Sequence, residues 1–122
     1  MKTLNEKIVK IANAQDWEVD ICDNGDGDYT FAFQKYSLAG QDFNFEADME
    51  DNNIQSLLYN IHEYYSNYDC SENAYLWLDE TGHGKNGAPY DMKDVYEDME
   101  ACKQYILDLY DILRKEDLDT IN

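Results

Sequence analysis

The chain has few basic residues. Among its 122 residues, Lys and Arg total 9 against 27 Asp and Glu, which gives a formal net charge of -18 at pH 7. A folded domain with this charge repels nucleic acids and anionic lipid, so the composition excludes direct binding to DNA, RNA or a membrane surface. A small domain needs a net charge of only about 2–8 in magnitude to stay soluble. The excess negative charge therefore indicates a role beyond solubility.

The sequence also lacks long apolar runs and paired cysteines. No run approaches the roughly 18 apolar residues that a membrane-spanning helix needs. The start, MKTLNEKIVK, has no apolar segment and no small-residue cleavage site, so we expect no signal peptide. The three cysteines, Cys22, Cys70 and Cys102, are widely spaced and form no C-x-x-C pair. This pattern favours free thiols and a cytoplasmic location.

In the first half of the chain, apolar residues repeat at helical spacing and then alternate. A capping box at Thr3 and Glu6 predicts a helix over about residues 3–15. Alternation then predicts three strands. Their inward faces are Trp17, Val19 and Ile21 in the first, Tyr29, Phe31 and Phe33 in the second, and Phe43, Phe45 and Ala47 in the third. The Asn24–Gly25 dipeptide predicts a hairpin turn, and a second turn is expected around Gly40.

The second half of the chain is predicted to be helical. One helix has an apolar stripe at Ile54, Leu57, Leu58, Ile61, Tyr65 and Tyr68. Asp69 and Glu72 are candidate caps of a short helix that carries Ala74, Trp77 and Leu78. Asp91 is expected to cap a last helix, whose apolar seam is Met92, Val95, Met99, Cys102, Ile106, Leu109 and Leu113.

These elements predict the order α-β-β-β-α-α-α and the α+β class. We expect a three-stranded antiparallel sheet that the helices cover on one face. Hydrophobic residues make up 43% of the chain, which is enough for one core. We therefore assign residues 1–114 to a single globular domain and residues 115–122 to a frayed C-terminal tail.

Acidic side chains lie opposite the predicted apolar faces. The candidate partner-binding residues on the last helix are Asp94, Glu97, Glu100, Asp108 and Asp111. Those on the sheet and its first hairpin are Glu18, Asp20, Asp23, Asp26 and Asp28. Such a surface is ordinarily a solvated one, but 27 acids diluted by 9 bases favour a binding role. A surface that imitates the negative field of a nucleic acid would bind a basic groove rapidly, in a salt-dependent way.

Tyrosine is the second compositional excess. There are eleven Tyr against four Phe. Most flanking tyrosines suit the rim of a small core, but Tyr59 lies far from the apolar stripe of its helix. Tyrosine combines a large apolar area with a polar tip and is a common anchor of protein interfaces. We therefore add Tyr59 to the candidate partner-binding residues.

The glycine-rich loop from Asp79 to Pro89 is the alternative site. Asp79, Glu80 and His83 are candidate metal ligands, and they suggest a small metal- or ligand-binding protein as a function of another class. GHGKNG lacks the spacing and the Ser or Thr of a phosphate-binding loop, and DNGDGD fits no calcium-loop register. We predict no catalytic residue and no cofactor, and we expect the protein not to be an enzyme.

Two stretches resemble known proteins. YSLAGQDFNF, residues 36–45, and AYLWLDETGHGKNGAPYDMKDVYEDMEAC, residues 74–102, are similar to small acidic proteins encoded by bacterial phages and conjugative elements. The element order, size and acidity also resemble phage anti-CRISPR proteins, which imitate the DNA duplex at the PAM-reading site of a CRISPR nuclease. The resemblance implies a DNA mimic that occupies the basic groove of a CRISPR or restriction protein. An immunity protein against a basic nuclease toxin is the alternative.

Overall fold

A computed structural model of the chain describes residues 3–116. It contains the helices α1 (Leu4–Asn13), α2 (Ile54–Asn67), α3 (Cys70–Tyr75) and α4 (Met92–Lys115), and the strands β1 (Glu18–Gly25), β2 (Asp28–Tyr36) and β3 (Asp42–Met49). The predicted order and the α+β class are confirmed. Helix α4 continues to Lys115, one residue into the predicted frayed tail. Glu116 is the C-cap of that helix, and residues 117–122 of the predicted tail lie outside the described residues.

The three strands form an antiparallel sheet in the order β1-β2-β3. Phe33 of β2 pairs with Val19 on one side and with Phe45 on the other, so the apolar residues share one face. Strand β3 alternates exposed and buried residues without a break, as its sequence predicts. Trp17 precedes β1 instead of lying in it. Its side chain is nevertheless buried, and its ring centroid lies 5.6 Å from that of Phe45.

Ile21 is the exception on this face. The register pairs it with buried Phe31, yet 37% of its surface is exposed. Strand β1 is an edge of the sheet, and the helices leave its second half uncovered. The prediction that Ile21 belongs to the core is therefore wrong, although its side chain lies on the predicted face of the sheet.

The helices cover the apolar face of the sheet. Helix α2 packs against β3 and α4, helix α3 packs against α4, and helix α1 packs against β1. The predicted seam of α4 is buried from Val95 to Leu113. Met92 is exposed over 57% of its surface because it lies at the first residue of the helix, ahead of the buried seam.

Two local predictions need correction. The first hairpin turns at Asp26 and Gly27, not at Asn24 and Gly25, because Gly25 pairs with Asp28. Both turn residues have positive φ angles, 56° and 84°, which are typical of a two-residue hairpin loop. The short helix α3 ends at Tyr75, so Trp77 and Leu78 follow it as half-buried loop residues.

Candidate protein-binding surface

The face of the sheet that the helices leave open carries acidic side chains. Its exposed carboxylates are Glu18, Asp20, Asp42, Glu46 and Asp48. The sequence contains no Lys or Arg from residue 36 to residue 84, and Lys35 lies on the opposite face, with its ammonium 4.1 Å from the ring of Tyr105. None of the three strands therefore carries a cation on this open face.

The register sets the spacing of these carboxylates. Asp20 and Glu46 lie in one row across the sheet, on either side of Ala32. Neighbouring strands are about 4.8 Å apart, so the backbones of Asp20 and Glu46 are separated by about 10 Å, with the small side chain of Ala32 between them. Along β3, Glu46 and Asp48 are two residues apart on the same face, or about 7 Å. The result is a regularly spaced array of negative charges on one face of the sheet.

Hydrogen bonds hold one member of this array in place. The Thr30 hydroxyl donates to Asp48 Oδ1 over 2.7 Å. Asn24 Nδ2 in turn donates to the Thr30 hydroxyl over 2.9 Å. These two bonds orient the Asp48 carboxylate, and a group that is already oriented loses less entropy when it binds a ligand.

A second group of carboxylates lies at one end of the sheet. The β1–β2 turn and the turn after β3 pack together there: Asn52 N donates to Gly27 O over 2.8 Å, and Asp51 N donates to Asp28 Oδ1 over 3.0 Å. The carboxylates that this contact gathers are Asp23, Asp26, Asp28, Glu50 and Asp51. Nowhere in residues 3–116 do three or more His, Cys, Asp or Glu side chains approach closely enough to hold a metal ion.

We call these ten carboxylates together the acidic sheet surface. Five of them were predicted: Glu18, Asp20, Asp23, Asp26 and Asp28. Sequence reasoning did not select the other five: Asp42, Glu46, Asp48, Glu50 and Asp51. The alternation of β3 already placed three of these on its outer side. The remaining two, Glu50 and Asp51, join the surface only because the two turns pack against each other.

The acidic residues of α4 form a separate surface. The seam of α4 faces the core, and the sheet is the opposite wall of that core, so the polar side of α4 and the open face of the sheet point in opposite directions. The predicted residues on α4 are Asp94, Glu97, Glu100, Asp108 and Asp111. The candidate residues on α4 and those on the sheet therefore form two separate acidic surfaces, and their roles in partner binding stay predictions.

Several of the α4 carboxylates also have partners. Lys93 Nζ lies 2.8 Å from Glu97 Oε1, and Arg114 lies 3.7 Å from Asp111 Oδ1. Asp108 accepts a hydrogen bond of 2.8 Å from Gln104 Nε2. The two ion pairs place cations beside Glu97 and Asp111, whereas the strands of the acidic sheet surface carry no cation on the open face.

Tyr59 lies on the solvent side of α2, with 65% of its surface exposed. A hydrogen bond with Glu63 and the negative charge of Glu63 raise the pKa of the Tyr59 hydroxyl. Glu63 also lines a groove of about 510 Å³ between α2 and the edge of β3, together with Glu46 and Glu50. Tyr59 therefore stands beside an acidic groove that adjoins the acidic sheet surface.

The Asp79–Pro89 loop is built around its own hydrogen bonds. The Asp79 carboxylate accepts from the Thr81 hydroxyl over 2.6 Å and from the backbone N–H groups of Thr81 and His83. These bonds lower the pKa of Asp79. The His83 ring stacks on Tyr90 with 3.9 Å between centroids, and Glu80 is exposed. Of the three candidate metal ligands, Asp79 thus stabilises the turn, His83 stacks on Tyr90, and Glu80 is exposed to solvent.

Gly84 explains part of the glycine content of this loop. A Cβ atom on Gly84 would lie 1.8 Å from the carbonyl oxygen of Pro89, so only glycine fits. Gly84 N also donates to Tyr90 O over 3.0 Å, which closes the loop. The glycine is required for close packing of two backbone segments, and no ligand is needed to explain it.

Comparisons with protein families, with characterised proteins and with solved structures find no match for this chain. The resemblance to phage-encoded inhibitors thus stays a prediction based on element order, sequence stretches and charge. No helix within residues 3–116 is long and apolar enough to cross a membrane.

Proposed function

We propose that this protein is a non-enzymatic inhibitor that imitates DNA and occupies the basic groove of a nuclease or defence protein. One observation supports this proposal above all. The acidic sheet surface presents ten carboxylates on one face and one end of the sheet, and residues 18–53, which form the sheet and its turns, contain a single cation, Lys35, on the opposite face. A surface that served only solubility would intersperse both signs of charge.

The geometry of the surface suits a groove built for a duplex. Carboxylates on one strand are about 7 Å apart, which is close to twice the 3.4 Å rise between phosphates on one DNA strand. Arg and Lys side chains that normally contact phosphates would form charge-assisted hydrogen bonds with these carboxylates. Because the field of the whole molecule is negative, encounter with a basic partner is fast and is slowed by salt.

The same physics fits a basic nuclease toxin, for which the protein would be the immunity partner. Both kinds of partner present a positively charged groove, so the acidic sheet surface would make the same contacts with either. A gene for a nuclease toxin beside this gene would assign the partner to the toxin class.

The test compares two double charge reversals that change the net charge equally. Asp20→Lys with Glu46→Lys alters the acidic sheet surface, and Glu100→Lys with Asp108→Lys alters the outer side of α4. The tagged protein captures its partner from host lysate at low salt, and the affinity of the purified partner is then measured for each variant. We expect the sheet reversal to weaken binding at least a hundredfold and the α4 reversal to weaken it less than about threefold, since only the former reverses charges in the contact.

A short DNA duplex provides the competitor. If the protein occupies a DNA-binding groove, the duplex displaces it from the partner, and binding weakens as salt is raised from 50 to 200 mM. Equal losses from the two double reversals would show that only the total charge matters. A partner that binds DNA and this protein simultaneously would refute the imitation of DNA. Circular dichroism of each variant confirms that the fold is intact.

A further inference from the structure

Strand β3 is an edge of the sheet, so half of its backbone N–H and C=O groups do not pair with β2 and point away from the sheet. Two hydrogen bonds identify the residues to which these unpaired groups belong. Ser37 N donates to Gln41 O within the β2–β3 hairpin, and the side chain of Asn60 donates to Asp48 O from outside the sheet, over 2.7 Å. Backbone groups point to alternate sides along a strand. The N–H and C=O groups of Asp42, Asn44 and Glu46 therefore point to the free edge.

A groove accompanies this free edge. It lies between β3 and α2 and has a volume of about 510 Å³. Its walls include the carboxylates of Glu46, Glu50 and Glu63, the ring of Tyr64, and the amides of Asn60 and Asn67. Tyr64 is held in place because its ring stacks on Phe45 at 4.8 Å. The edge thus offers backbone hydrogen bonds beside a groove in which every charged side chain is negative.

A second copy of the chain does not suit this edge. Pairing β3 with β3 would bring Asp42, Glu46 and Asp48 against the same acids of the other copy. Like charges across a strand pair are destabilising, and each molecule carries a net charge of -18. Charge complementarity instead favours an extended segment that carries Lys or Arg on alternate positions.

We infer that the free edge of β3 receives an extended basic segment of the partner as a fourth strand of the sheet. Backbone hydrogen bonds to Asn44 and Glu46 would supply part of the affinity, and the carboxylates of the groove would select basic side chains. The inference rests on the proposed function, because it states how part of the basic partner would contact the acidic surface. Asn60 limits the docking site, since its side chain already occupies Asp48 O.

The experiment uses a synthetic peptide as the probe. The peptide has nine residues, alternates Arg and Thr, and is blocked at both ends. A matched peptide carries N-methyl groups on the edge that would pair with β3, so it keeps the charge and loses the backbone donors. We expect the unmodified peptide to bind about tenfold more tightly than the methylated one, the difference made by two or so hydrogen bonds. Its binding should slow hydrogen exchange at the amides of Asn44 and Glu46.

A protein variant gives the reciprocal test. Asn44→Pro removes one free-edge N–H without removing a bond to β2, because proline is tolerated where the N–H of an edge strand faces solvent. We expect this variant to bind the unmodified peptide about threefold more weakly than wild type does, because it loses one of the hydrogen bonds. The control is Asn44→Thr, which keeps the backbone N–H and should retain wild-type affinity. If Asn44→Pro fails to fold, the pair of peptides still tests the inference on the unaltered protein.

The outcomes separate this inference from the proposed function. Equal affinity for the two peptides, or slowed exchange elsewhere than at Asn44 and Glu46, would overturn the fourth-strand inference and leave DNA imitation standing. A dimer seen by analytical ultracentrifugation, together with slowed hydrogen exchange along β3 in the absence of peptide, would also overturn the inference, because a second copy would then occupy the edge. Loss of DNA competition, with edge binding intact, would refute the proposed function alone.

Discussion

At the scale of single residues, Asp98 departs most from the pattern around it. It lies on α4 beside Val95 and Met99 and is only 5% exposed. Its carboxylate accepts a 2.6 Å hydrogen bond from the Ser37 hydroxyl and a 3.0 Å bond from Ala39 N. The Ser37 hydroxyl also accepts from Gln41 N over 2.9 Å. Asp98 therefore attaches the β2–β3 turn to the helix layer.

Replacing Asp98 tests this attachment. We expect Asp98→Ala to lower the free energy of unfolding by about 2 kcal/mol, because the Ser37 hydroxyl and the Ala39 N–H lose their acceptor in a buried place. Asp94→Ala is the matched control one turn earlier, where the carboxylate is exposed, and it should change stability by less than about 0.5 kcal/mol. Urea unfolding measures both. Similar losses in the two variants would show that the hydrogen bonds of Asp98 add no stability.

At the scale of elements, the two predicted aspartate caps differ. Asp69 accepts hydrogen bonds from the backbone N–H groups of Ser71 and Glu72, over 2.8 and 3.2 Å. Glu72, the other candidate cap, lies in the first turn of α3, and its backbone N–H donates to the Asp69 side chain. Asp91 occupies the N-cap position of α4, but its side chain makes no capping hydrogen bond. Sequence position predicted both caps, and only side-chain geometry distinguishes them.

The two caps should differ in stability. We expect Asp69→Ala to destabilise the protein by about 1 kcal/mol, because two N–H groups at the start of α3 lose their acceptor. Asp91→Ala should cost less than about 0.5 kcal/mol, since it removes only the attraction between a carboxylate and the helix dipole. Thermal unfolding followed by circular dichroism compares them. If Asp91→Ala proves the more costly, the assignment of the functional cap is incorrect.

At the scale of the whole molecule, the two-layer arrangement sorts the charges. Three cations on the helical side of the molecule lie against aromatic rings. Lys35 of β2, on the face that the helices cover, lies over Tyr105, and the α4 residues Lys103 and Arg114 lie over Tyr65 and Tyr110. The open face of the sheet keeps its carboxylates without such neighbours. The molecule therefore has a partly neutralised helical side and a strongly negative sheet side, a polarity that the net charge alone does not predict.

Two titratable side chains in the core, Cys102 and Tyr68, make the stability of the protein depend on pH in the alkaline range. Burial raises the pKa of the Cys102 thiol to about 12, from an ordinary value of 9.0, and also raises the pKa of the Tyr68 hydroxyl. The folded state keeps these protons where the unfolded state has lost them. The stability linked to Cys102 is complete well below pH 9 and falls as pH rises from 9 towards 12, by up to roughly 1.4 kcal/mol per pH unit. The loss linked to Tyr68 begins about one pH unit higher, because the ordinary pKa of its hydroxyl is 10.0.

The variant Cys102→Val isolates the contribution of the thiol. Valine is similar in size and does not titrate, so we expect the stability of this variant to fall less steeply than that of wild type between about pH 9 and 11. Urea unfolding at several pH values gives the two slopes. Parallel slopes for wild type and Cys102→Val would contradict a buried, protonated thiol.

The sequence by itself determined the class and order of the elements. The alternation of β3 and the three-to-four-residue spacing of α4 arise from local geometry, so they predict which residues face the core, as the burial of Phe45 and Ile106 confirms. The acidic positions of Glu18, Asp20 and Asp23 followed from the same alternation and turn chemistry. Patterns of this kind depend on neighbours in the chain and need no knowledge of the fold.

Only the tertiary structure decided which acids lie together. The turn at Asp26–Gly27 instead of Asn24–Gly25 depends on the pairing of two strands, since both dipeptides suit a tight turn locally. The meeting of Asp28 with Asp51, and the separation of Glu100 from Asp20, depend on how the layers stack. Contacts between residues far apart in the chain determine these arrangements, and a pattern read along one sequence carries no information about them.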